Sequence, residues 1–141
     1  MGRSKEKEEK GLKIDLLTPE RKLFLEKEAD YVEVPTQAGY IGILSHHLPV
    51  MGLLGIGILE IKKGEQNERY AIEEGFFQLE GEKLTLLCKL AWRPEELKIK
   101  ELEKQKREAF EILKTSDNPE EVEEASKKYT RASIFLSLAR G

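Results

Sequence analysis

The sequence predicts an α+β fold: an antiparallel β-sandwich or flattened barrel over residues 12–91, then an antiparallel two-helix hairpin over residues 92–141. Three observations predict it. Short apolar runs with alternating or β-branched residues, bounded by turn chemistry, fill the first part. The composition shifts at AWRPEE into long charged stretches with helical spacing of apolar residues. Finally, Ala38 to Leu59 reads AGYIGILSHHLPVMGLLGIGIL, without one formal charge in a chain that is 36% charged.

The elements follow in order. MGRSKEKEEKG, residues 1–11, has no apolar core of the kind a signal peptide needs and reads as a solvated, disordered tail. LKIDLL places Leu12, Ile14 and Leu16 on one face of a strand. TPER supplies a turn, with Pro19 where a type I turn takes it. KLFLE and ADYVEVP, the latter carrying Tyr31, Val32 and Val34, continue the sheet. GILEIKK and RYAIEE flank KGEQN as a polar hairpin loop, and FFQLEGEKLTLL holds a second hairpin around Glu80-Gly81. The single cysteine, Cys88, excludes an intramolecular disulfide and reads as a small core residue in LTLLCKL.

The uncharged stretch has the length of a membrane span, but Gly39, Gly42, Gly52, Gly55, Gly57, Pro49 and His46-His47 do not suit a continuous membrane helix. Gly52, Gly55 and Gly57 are spaced G-x-x-G-x-G, the reverse of the dinucleotide fingerprint, and no Gly-Lys-Ser/Thr follows to hold phosphates. Buried sheet broken by turns is what remains. One inner face cannot use so many apolar residues, so part of the surplus is expected to face outward as a patch suited to a partner.

Catalytic and metal chemistry find no foothold. His46 and His47 are the only histidines, so a zinc site would have to recruit carboxylates with no spacing to support it. No nucleophile elbow or Ser-His-acid pattern emerges. A net charge of −3 with interleaved glutamates gives no basic stripe for nucleic acid. The expectation is no enzyme, no cofactor and no metal.

The hairpin begins where Pro94 can take the first turn of a helix, with Glu95 and Glu96 at its positive end. The helix is expected to run to Lys114. TSD breaks it, and Asn118 caps a second helix to about Ala139, with Glu121 completing a capping box. On the first helix Leu102, Ala109, Phe110 and Leu113 form a stripe on which Lys106 also lies, so Lys106 is expected to weaken the seam. On the second, Val122, Ala125, Tyr129, Ala132 and Leu136 form a face, and Ile134, Phe135 and Leu138 make ASIFLSLA apolar nearly all round.

Several motifs together resemble the epsilon subunit of bacterial F-type ATP synthases, the counterpart of the mitochondrial delta subunit. TPERKLF at 18–24 is similar to its opening hairpin. Gly39, Gly42-Ile43-Leu44, His47 and Pro49 match G-x-x-G-I-L-x-x-H-x-P, and Gly75-Phe76 fits the second half of a Gly-Gly-Phe turn. The resemblance implies a non-catalytic central-stalk subunit, peripheral to the cell membrane on its cytoplasmic side. Its partners would be the gamma subunit, the c-ring and the alpha/beta catalytic hexamer. A loop with Tyr40, Ile43 and His47 would face the c-ring. Lys127, Lys128, Arg131, Phe135 and Leu138 would belong to an inhibitory C-terminal helix that can extend into the hexamer and stop ATP hydrolysis.

Two departures from the family pattern stand out. Glu74 and Tyr40 occupy positions where a glycine and an acidic residue are common. The ATP-binding segment of some members, I-D-x-x-R-A, falls on Leu97 to Leu102, where Lys98 and Glu101 reverse both charges; one further family arginine fits Arg131, another falls on Phe135. The resemblance with these reversals implies weak or absent ATP binding. A free-standing β-sandwich that binds a small ligand is the alternative reading.

Overall fold

The computed structural model describes residues 11–141, so the tail expected over residues 1–11 lies outside the described residues except for Gly11. Two compact units are present, one running through Ala91 and the other Trp92–Gly141.

The first unit has eight strands: β1 Leu12–Leu17, β2 Lys22–Ala29, β3 Tyr31–Thr36, β4 Gly39–Leu44, β5 Val50–Leu54, β6 Gly57–Lys63, β7 Gln66–Glu80 and β8 Lys83–Trp92. The ladder runs β2-β1-β8-β7-β5-β3-β4, with β6 joined to β3 and β7. It folds over on itself into two layers; the Phe24 ring of β2 meets the Tyr70 ring of β7, centroids 5.3 Å apart. Leu12, Ile14 and Leu16 are fully buried, as their alternation predicts, together with Val32, Val34, Ile43, Leu54, Leu59, Leu84 and Leu86. Burying each such side chain is worth about 1.5–3 kcal/mol. Cys88 lies in this core, and burial pushes its thiol pKa up to about 12, far from a reactive thiolate.

The sheet departs from a purely antiparallel one in a single pairing among the described strands. β1 runs parallel to β8, with Ile14 opposite Leu84 and Leu16 opposite Leu86. Hairpin signals report only neighbours in sequence; the meeting of the first strand with the last is set by how many strands lie between them. The β1–β2 ladder slips twice around Ile14 to Leu17. Glu26 sits at φ +55° beside this irregularity, its amide donating to Asp15 Oδ1 at 2.8 Å. Lys83 holds the place from β8, 3.1 Å from Asp15 and paired with Glu26.

Strand β7 is the second departure. RYAIEE and FFQLE, separate runs in sequence, form one 15-residue strand, and Glu74-Gly75 is a kink within it rather than a turn. Glu74 has φ +44° and Gly75 φ +143°. The kink lets one strand serve two partners: Gly57–Lys63 pair with its first half and Val50–Leu54 with its second. A Cβ on Gly75 would lie 2.0 Å from the Leu87 carbonyl oxygen, so only glycine fits. The KGEQN loop is also tighter than it reads. Lys63 pairs with Gln66, leaving a two-residue turn of Gly64-Glu65.

The second unit opens with a 3₁₀ turn, Pro94–Glu96, in which the Glu96 carboxylate accepts from the Arg93 amide at 2.7 Å. The chain does not continue from there as one helix. Leu97 and Lys98 are extended, and helix α1 spans Ile99–Thr115. Helix α2 spans Pro119–Ala139. Asn118 Oδ1 accepts from the Glu120 and Glu121 amides at 2.9 and 3.4 Å, confirming the cap. Its own amide donates to Ser116 Oγ at 3.1 Å, the place that the expected capping box assigns to the Glu121 side chain.

The hairpin seam is built from small residues. Ala109 on α1 and Ala125 and Ala132 on α2 are buried, with Leu102 and Leu136 beside them. Phe110 stays half-exposed, its ring 6.0 Å from that of Tyr129. Lys106 does not weaken the seam in the way its place on the stripe suggests. Its ammonium lies 5.3 Å from the Tyr129 ring centroid, an attractive cation–π contact across the two helices.

Candidate functional site

The uncharged stretch forms β4, β5 and the start of β6, and its residues divide by strand parity. Along β4, Tyr40, Gly42 and Leu44 turn outward while Ile43 is fully buried. Along β5, Met51 and Leu53 face out and Leu54 in. The exposed large apolar residues concentrate here. Leu44, Leu48, Met51, Leu53 and Tyr40 are all more than half exposed, Leu48 at 79%. Phe76, half-buried, lies directly opposite Leu53 on β7 and extends the face.

The turn between β4 and β5 is tied down from another hairpin. Glu82, in the β7–β8 turn, accepts from Ser45 Oγ at 2.7 Å and from the His46 amide at 3.2 Å. The His46 ring lies 3.7 Å from the same carboxylate. His46 itself is at φ +68°, and the His47 Nδ1–H donates to the Leu48 carbonyl at 2.7 Å. These contacts fix a tip that carries Leu48 into solvent. Tyr40 is anchored too: its hydroxyl accepts from the Ile58 amide at 3.0 Å, in space left by Gly57.

Three residues were expected on one partner-facing loop, and the structure separates them. Tyr40 is on a strand and outward, and His47 is on the exposed turn. Ile43 is a core residue and offers no surface, because strand alternation points it away from its neighbours. Leu48, Met51 and Leu53 were not singled out by sequence reasoning. The outward surplus was foreseeable from composition, but both parities of VMGLL are apolar, so the pattern could not say which half faces out.

The hairpin residues fall into two groups. Lys127 and Lys128 are exposed, each paired one turn back, with Glu123 at 3.8 Å and Glu124 at 3.4 Å. Such solvated pairs hold their lysines weakly. Phe135 and Leu138 are instead buried, and Arg131 lies over the Phe135 ring at 4.8 Å while donating to Gln105 at 3.4 Å. Leu97, Lys98, Glu101, Leu102, Arg131 and Phe135 do come together, around a cleft of about 230 Å³ that also takes in Glu96. Two carboxylates, Glu96 and Glu101, thus stand with two cations, Lys98 and Arg131, around it.

Among the described residues, no group of three or more histidine, cysteine, aspartate or glutamate side chains could hold a metal ion. No helix among them is long and apolar enough to cross a membrane.

Against known proteins, residues 11–94 match the family model for the β-sandwich domain of the ATP synthase delta/epsilon chain. The chain belongs to the ATP synthase delta/epsilon family. The ATP synthase epsilon chain of Leptospira interrogans is 36% identical over 107 residues, covering 76% of this chain and 83% of the relative. That of Staphylococcus aureus is 25% identical over 128 residues, covering 91% and 96%, so this alignment reaches into the hairpin. Two solved structures share the fold. A chain of the Euglena gracilis mitochondrial ATP synthase, solved with its c-ring, gives a TM-score of 0.70 at 20% identity, covering 93% of this chain and 78% of that one. A chain of the Tetrahymena thermophila central stalk and c-ring gives 0.67 at 12% identity, covering 91% and 96%.

Proposed function

We propose that this chain is a non-catalytic subunit of the central stalk of an F-type ATP synthase, joining the gamma subunit to the c-ring and restraining ATP hydrolysis through its C-terminal helices. The observation that carries the first part is the concentration of exposed apolar side chains on β4, β5 and the turn between them: Tyr40, Leu44, Leu48, Met51 and Leu53. Apolar residues so concentrated suit a standing protein interface. Met51, Leu53 and Phe76 present a flat strand face suited to gamma. The fixed tip with His47 and Leu48, next to Tyr40, suits the surface of the c-ring. The named relatives and the assemblies in which the similar folds were solved support this placement. It would hold the chain at the membrane through its partners, on the cytoplasmic side.

The restraining role rests on the hairpin. Lys127 and Lys128 are available to acidic groups on the catalytic subunits. Phe135 and Leu138 are inside, so in this closed form they cannot enter a partner. Exposing them costs about 1.5–3 kcal/mol each, which an incoming surface must replace. Closed and inserted forms would therefore differ by partner contacts rather than by helix formation, since both helices exceed the roughly 12–15 residues below which isolated helices are marginal.

Deletion of everything after Arg93 tests the reading. The shortened chain is expected to assemble with gamma and the c-ring and to raise ATPase activity several-fold. Unchanged activity with intact assembly would remove the inhibitory role. The opposed charges in the cleft at Lys98 and Glu101 lead us to expect no ATP binding below millimolar concentrations by calorimetry; a sub-micromolar dissociation constant would overturn that.

A further inference from the structure

A second cleft lies across the two helices, about 280 Å³ in volume, lined by Glu103, Lys106, Arg107 and Phe110 of α1 and by Tyr129, Leu136 and Arg140. Its position differs from that of the Lys98–Glu101 cleft; the two share no lining residue. The α1 residues recur at intervals of three, one and three positions, so they form one continuous helix face. The Phe110 ring, 47% exposed, and the Tyr129 ring lie 6.0 Å apart with their planes tilted by 36°, and Leu136 is buried beside them; the Lys114 ammonium stands 5.4 Å from the Phe110 centroid, leaving the other side of that ring for stacking.

The charges around these rings are unbalanced. Arg140 is committed to Glu103, so that pair cancels. Among the described residues, Lys106 meets only the face of Tyr129, 5.3 Å from its ring centroid, and the exposed Arg107 has no carboxylate partner. Two uncompensated cations thus stand beside two aromatic rings in a cleft of small-molecule size. A ring can stack there while an anionic substituent reaches the cations, and the second contact strengthens as the first excludes water. A long polyanion would instead meet the Glu103 carboxylate.

We propose that this cleft is a binding site for a flat aromatic anion, an aryl carboxylate or aryl phosphate, held by stacking on Phe110 and Tyr129 and by charge on Lys106 and Arg107. The site is separate from the apolar strand residues, because every residue in it belongs to the hairpin. Occupancy requires α1 and α2 side by side, so a bound anion stabilises the closed pair by mass action.

The test is amide NMR titration of the full-length chain with 2-naphthoate and 2-naphthyl phosphate, against 2-naphthol and inorganic phosphate. Both aryl anions are expected to shift amides within 103–110 and 129–140, saturably, and at least tenfold more tightly than either control. Arg107→Glu should weaken them at least tenfold, and Phe110→Leu about threefold or more; both positions are exposed enough to leave the hairpin folded. If only one aryl anion binds, the site stands and its headgroup is thereby chosen. Equal binding of 2-naphthol would reduce the cleft to a greasy spot, and equal binding of inorganic phosphate to a patch of charge. Shifts absent from both segments, or unchanged in Arg107→Glu, would overturn the proposal.

Discussion

In the sandwich, large apolar side chains divide between a sealed interior and an open face: Leu54 is fully buried while Leu53, its neighbour, is more than half exposed. In the hairpin the apolar residues of ASIFLSLA turn inward even where they lie on different sides of α2, as Phe135, Leu136 and Leu138 do. The difference teaches how each unit meets a partner. The strand face is ready as it stands, held by a backbone ladder that need not change. The hairpin has little apolar surface ready, Phe110 and Ile99 being its large exposed residues, and must rearrange before Phe135 or Leu138 can touch anything new.

The largest effect is expected inside the hairpin. Phe135→Ala removes its largest fully buried side chain and should cost about 3–5 kcal/mol. Amide exchange should accelerate throughout α2 while protection in β1 is kept. Equal loss of protection in β1 would show that the two units unfold together.

The sandwich has its own weak point at the kink. Gly75→Ala drives a methyl onto the Leu87 carbonyl at an unfavourable φ, which should cost about 2–4 kcal/mol in urea unfolding and sharpen the contrast by sparing α2.

A pH series, read against a chain without the thiol, addresses the sealed interior. The folded-state pKa of Cys88, about 12, lies above its ordinary value of 9.0 because burial disfavours the thiolate. Below pH 9 both states carry the thiol and its contribution is intact. As pH climbs from 9 toward 12 the unfolded chain ionises first, and roughly 2–4 kcal/mol is lost. Cys88→Ala should flatten this part of the pH dependence by comparison with the parent chain, measured by denaturant midpoints at pH 8 and 10.5.

The smallest effect is of opposite sign. Glu74 has a Cβ at φ +44°, so Glu74→Gly should relieve strain and stabilise the sandwich by about 0.5–1 kcal/mol, once glycine's extra chain entropy is subtracted. A destabilisation would show that the Glu74 side chain matters more than its backbone.

Much of this was legible in the residues. Alternation gave Leu12, Ile14 and Leu16 their buried face, and Asn118-Pro119 marked where α2 begins. What was hidden depended on distant partners. Nothing local to LKIDLL says that β1 will lie parallel to β8. Nothing in EEGFF distinguishes a turn from a kink, because glycine and a left-handed neighbour serve both. The site was legible as a surplus and not as a list. Composition required apolar residues outside, but a stretch apolar at both parities left Ile43 and Met51 indistinguishable until the strand was paired. Lys106 looked like a flaw on its stripe because its aromatic partner is 23 positions away, on the other helix.

Leu48, Met51 and Leu53 form a standing interface that the fold itself does not need. The direct measurement is co-purification of a Leu48→Glu, Met51→Glu, Leu53→Glu chain with the ATP synthase of its native membranes, alongside its denaturant midpoint. An unfolding midpoint close to that of the parent chain is expected, with at least a tenfold loss of co-purification. Full co-purification of a chain whose fold is intact would contradict it.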